Sequence, residues 1–102
     1  MSRRSAHGTE VTRLLRDYRP MLLRFLPHHA EEVRAEAYEL GRSAFARGVP
    51  LLAVCRIHQE VTGELLRATS LEDVVRVHED AGELLLEVLA AYEMTHRAAS
   101  ER

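Results

Sequence analysis

The segment Glu93-Met94-Thr95-His96 sets a carboxylate and an imidazole one helical turn apart. Di-iron bundles use that Glu-x-x-His spacing in duplicate, with further inward glutamates completing the ligand set. No second pair exists: the residue three before His58 is Cys55, and three before His78 is Val75. Cys55 and His58, also one turn apart, could open a zinc site. Zinc needs a full tetrahedral set, however, and the chain has a single cysteine and no matching His pair. A partly buried thiol is the simpler reading of Cys55. His58 and His78 fall on apolar stripes, which suits hydrogen-bonded core histidines, while His28-His29 suits a solvated turn. No nucleophile stands beside a base, and the five glycines are dispersed rather than gathered into a phosphate loop. The expectation is a chain without metal, cofactor or enzymatic activity.

Positioning these residues falls to helices. Residues 1–8 read as a flexible tail, residues 9–98 as a four-helix domain and residues 99–102 as a second tail. The first helix is expected from Thr9 or Glu10 to Leu26, with Thr9 as N-cap and Val11, Leu14, Leu15, Tyr18, Leu22, Phe25 and Leu26 on its apolar stripe. Pro20 removes a backbone donor and crowds the carbonyl of Arg16, predicting a kink or a break. The second helix spans Ala30 to Arg47, with Val33, Ala37, Leu40, Gly41, Ala44 and Phe45 on one side and Gly48 as C′ residue. Pro50 opens the third, which ends near Arg67 and carries Leu51, Val54, Cys55, His58, Val61, Thr62, Leu65 and Leu66. Ser70 caps the fourth, which runs to about Ala98, with Asp73 as the acidic member of a capping box.

That fourth helix is the unusual one. Leu71, Val74, Val75, His78, Ala81, Leu85, Val88, Leu89 and Tyr92 make a stripe expected in the core. Leu84, Leu86, Ala90, Ala91 and Met94 then add apolar surface around the remainder, where an edge helix should be polar. Leaving Leu84 or Leu86 in water forgoes roughly 1.5–3 kcal/mol each. The surplus predicts a dimer or partner surface including Leu84, Ala91 and Met94, or else a central helix wrapped by the other three. Gly41 and Gly82, inside helices, suit close helix crossing within the bundle or a partner contact.

Composition narrows the class. The chain has 102 residues, 46% of them hydrophobic, which fits one small globular domain rather than a disordered chain. Fourteen basic residues, all Arg, stand against 16 acidic ones, so no basic footprint favours nucleic acid. Apolar runs are too short for a membrane span, and a polar N-terminus with one cysteine suits a cytoplasmic protein.

Four stretches, taken in order, resemble a known family. Ala37-Tyr38-Glu39-Leu40-Gly41-Arg42 precedes Gly48-Val49-Pro50-Leu51-Leu52; Ile57-His58 follows; Leu84 to Arg97 closes the pattern. Together they look like the N-terminal domain of the RsbU family of phosphoserine phosphatases, over Val11 to Arg97. The resemblance implies an all-α, homodimeric four-helix bundle related in fold to the C-terminal domain of the clock protein KaiA. It implies a docking module for an RsbT-type switch kinase in a partner-switching stress pathway, controlling a PP2C-like phosphatase domain. The family's docking surface falls on Glu31 and Ala35 and on Leu86 and Ala90. Ala35 and Ala90 are smaller than the large apolar residues expected there, whereas Leu86 is selected both by the resemblance and by the apolar surplus. The alternative is a dimerisation or ligand-sensing domain that binds no kinase.

Overall fold

A computed structural model describes residues 2–101, with side chains described from residue 8. Its elements are four helices: α1 (Ser2–His28), α2 (Glu31–Ala46), α3 (Leu51–Arg67) and α4 (Val74–Ser100). A 3₁₀ turn over Leu71–Asp73 leads into α4, and no strand occurs among the described residues.

Helix α1 begins before the expected cap, so Thr9 lies inside it; Met1 and Arg102, parts of the expected tails, lie outside the described residues. The helix also runs through Pro20 without a break. Pro20 and Arg16 are both exposed, so the carbonyl deprived of its donor sits on the watered side of the helix, where solvent can replace the lost bond. The helix ends at His29, whose φ of 50° is left-handed and whose N–H donates to the Phe25 carbonyl at 2.7 Å.

The expected glycine stop closes α2. Gly48 has a φ of 76°; its N–H donates to Phe45 O at 3.0 Å, and that of Val49 to Ala44 O at 2.9 Å. This paired pattern satisfies the last free carbonyls, and buried Val49 supplies the accompanying apolar contact. Pro50 is the N-cap of α3 rather than its first helical residue. At Ser70 the expected capping box is replaced by a hydroxyl–carboxylate bond: Ser70 Oγ donates to Asp73 Oδ2 at 3.0 Å, and no side chain caps the backbone there.

The core gathers Leu14, Tyr18, Met21, Leu22 and Phe25 from α1, Val33, Ala37 and Ala44 from α2, Val54, Ile57 and Val61 from α3, and Ala81, Leu84 and Val88 from α4. The stripes of α1 and α2 match expectation, with Met21 added. On α3, Ile57 is buried while Leu51 is exposed. Helix α4 departs most. Its inward residues are Val77, Ala81, Leu84, Val88 and Ala91. Leu71 and Val75, expected inside, are 92% and 66% exposed, and His78 faces solvent.

Gly41 accounts for that rotation. A Cβ built there would lie 2.2 Å from Val88 O and 3.0 Å from Ala91 Cβ. The two backbones therefore approach closely, with small residues Ala37, Gly41 and Ala44 on α2 against Ala81 and Ala91 on α4. Only the phase that turns Leu84, Val88 and Ala91 toward α2 permits this crossing. Gly82 has nothing within 4 Å of an added Cβ and plays no such part within the chain.

Candidate docking surface

The seam between α2 and α4 assembles the surface. Arg34, on the first turn of α2, donates through Nη2 to Glu83 Oε1 on α4 and lies 3.8 Å from Glu31. That hydrogen bond, with the charges of Glu83, Glu31 and Glu87, holds the guanidinium above its ordinary pKa. One cation thus bridges carboxylates from both helices and sets α2 residues 31–35 beside α4 residues 83–87. Arg34 also stacks over the Phe25 ring at 5.1 Å, tying the seam to α1.

The expected docking residues divide between this seam and the core. Glu31 and Ala35 are exposed on successive turns of α2. Leu86 is 67% exposed, Met94 55%, and Ala90 is exposed between them on α4. Leu84 and Ala91, expected on a dimer or partner surface, are wholly buried in the chain's own core. This corrects the expectation of a dimer or partner surface that includes these two residues. Small residues at the α2–α4 crossing let α4 sink far enough to enclose Leu84 and Ala91, so the uncovered remainder is the smaller set around Leu86.

The candidate chemical residues are engaged in structural contacts. Tyr18 is wholly buried, and its hydroxyl lies 2.6 Å from His58 Nδ1; His58 Nε2 lies 3.3 Å from Thr62 Oγ1. Burial, then the charge of His78, lowers the His58 pKa. Burial, then Cys55, raises that of Tyr18. The neutral imidazole therefore shares a hydrogen bond with the Tyr18 hydroxyl through Nδ1, the hydrogen-bonded core role expected for it. Glu93 pairs with Arg97 at 2.9 Å, and His96 packs edge-on to Phe45.

His29 is exposed in its turn, as expected, and is also held by neighbours. It stacks on Phe25 with ring centroids 4.8 Å apart, and its Nε2 lies 2.9 Å from Asp80 Oδ2. Donor atoms of His29, Asp80 and Glu83 fall within 4.8 Å of one another, a spacing a cation could use. Arg76, at 3.6 Å from Asp80, and Arg34 already neutralise those carboxylates, so the group acts as an interhelical salt-bridge cluster. Sequence spacing gave no sign of these links, because their partners lie far apart along the chain.

The class these features define is an all-α domain whose buried polar groups hold the fold and whose α2–α4 seam leaves Leu86 exposed. The chain belongs to the family of the N-terminal domain of phosphoserine phosphatase RsbU, which matches residues 16–95. That family is the non-catalytic N-terminal domain of the phosphatase, which fits a regulatory role for this chain. No curated protein and no solved structure matches the chain. Among the described residues, no helix is long and apolar enough to cross a membrane.

Proposed function

We propose that this domain is a non-catalytic docking and dimerisation module of a partner-switching stress-response pathway that regulates a sigma factor. An RsbT-type serine kinase docks on the α2–α4 seam and thereby controls a PP2C-like phosphatase domain. Family membership supports the pathway. The observation that carries the site is Leu86, a large apolar side chain left 67% exposed beside Ala90, Met94, Glu31 and Ala35. Burying such a side chain contributes roughly 1.5–3 kcal/mol, enough to make it an anchor.

The mechanism is a population shift. A kinase that binds one arrangement of the domain better than another moves the equilibrium by that difference in affinity. Helix α4 is the natural lever, being both part of the docking seam and the last helix of the domain. The test is Leu86→Asp, measured by calorimetric titration with a purified RsbT-type kinase from the same genome. The expected result is loss of binding with unchanged far-UV helicity, because Leu86 makes no part of the buried core. Unchanged affinity overturns the assignment of the site.

A further inference from the structure

A separate cleft of about 510 Å³ lies where the end of α2 and the start of α3 meet α4. Its lining is Phe45, Leu51, Leu89, Tyr92, Glu93 and His96. The rings meet as corners: Phe45 stands at 87° to Tyr92 with centroids 5.4 Å apart, and at 78° to His96 with centroids 5.6 Å apart. Tyr92 is fixed in place, since its hydroxyl donates to Val49 O at 2.6 Å. Phe45 and Tyr92 are half-buried, so the walls are formed before anything enters. The one acidic group among the lining residues is Glu93, whose present partner, Arg97, is an exposed neighbour on the same helix. Such surface pairs contribute little and yield readily to a competing cation.

Aromatic faces set at right angles around an apolar floor, with a carboxylate at the rim, are complementary to a cation whose charge is wrapped in alkyl groups. The ring quadrupoles attract the charge, the floor takes the methyl groups, and the carboxylate supplies the counter-charge without demanding a hydrogen bond. The geometry points to this cleft as a binding site for a small alkylated ammonium ion of the choline type. The site is independent of the kinase-docking seam and adds a ligand input to the domain.

The test is an NMR titration of the full chain with choline and with its uncharged isostere, 3,3-dimethylbutan-1-ol. Choline is expected to shift the amides of Phe45 and of Leu89 to His96 saturably, with an affinity about ten-fold above that of the alcohol. Phe45→Leu, which keeps an apolar wall but no ring, and Glu93→Gln, on an exposed side chain, are each expected to weaken choline binding several-fold. Equal binding of the two probes overturns the proposal and leaves an unselective apolar cleft. Absence of saturable shifts with choline overturns it as well, as does unchanged choline affinity in both variants.

Discussion

Two tyrosines show how single residues couple the helices. Tyr92 fastens α4 to the α2–α3 connection through Val49 O, and Tyr18 fastens α1 to α3 through His58. The second contact has a pH dependence whose sign follows from the lowered His58 pKa. The unfolded chain takes up a proton as pH falls through the ordinary histidine value of 6.5, while the folded chain resists until lower pH. In that interval the unfolded state binds more protons, so stability is full above the ordinary value and is lost as pH falls through the folded one. Protonation would also fix a hydrogen on Nδ1, so that the Tyr18 hydroxyl could only accept there and not donate. The urea midpoint is expected to fall between about pH 7.5 and pH 5.5, and to fall less in His58→Gln, which cannot titrate. Equal slopes in the two proteins would remove His58 as the source. The residue-scale reading of His58 was legible, since an imidazole on an apolar stripe needs a partner. The identity of that partner, Tyr18, was not, because the two are 40 positions apart.

Between elements, the closest fit is the crossing of α2 and α4. Gly41→Ala places a methyl group against the Val88 carbonyl, a backbone atom that cannot swing aside. The expected cost is about 1–3 kcal/mol, toward the upper end, read as a lower urea midpoint. Gly82→Ala meets nothing in the chain and gains helix propensity, so it is expected to stabilise by about 0.5–1 kcal/mol. A reversed order of the two variants would refute this account of the crossing. Sequence periodicity marked both glycines as places of possible close approach. It could not separate them, because the spacing is silent on which side of α4 meets α2.

At the scale of the molecule, the question is how much apolar surface the fold leaves uncovered. Leu84 and Ala91 are enclosed, while Leu86, Met94 and Val75 remain open along α4 and Leu71 in the turn before it. A homodimer built around Met94, apart from the kinase anchor Leu86, would remove part of this strip from water. We expect the purified chain to sediment as a dimer at high concentration and Met94→Asp to shift it toward the monomer. Leu84→Ala, by contrast, is expected to lower stability by about 2–5 kcal/mol, as a cavity in the core does. A wild-type chain that stays monomeric at every concentration would refute the dimer and leave the strip to a different partner.

The sequence by itself determined the helix count, the Gly48 stop and the inward faces of α1 and α2, because those rest on local periodicity and on backbone freedom that neighbours cannot alter. It also carried the family pattern. The face that α4 presents was decided only by tertiary structure. Leucine and valine occur around so much of that helix that several rotations give an apolar stripe, and local spacing cannot choose among them. The Gly41 approach chooses, by allowing one backbone to settle against another, and in doing so it buries Leu84 and Ala91 and leaves Leu86 in water.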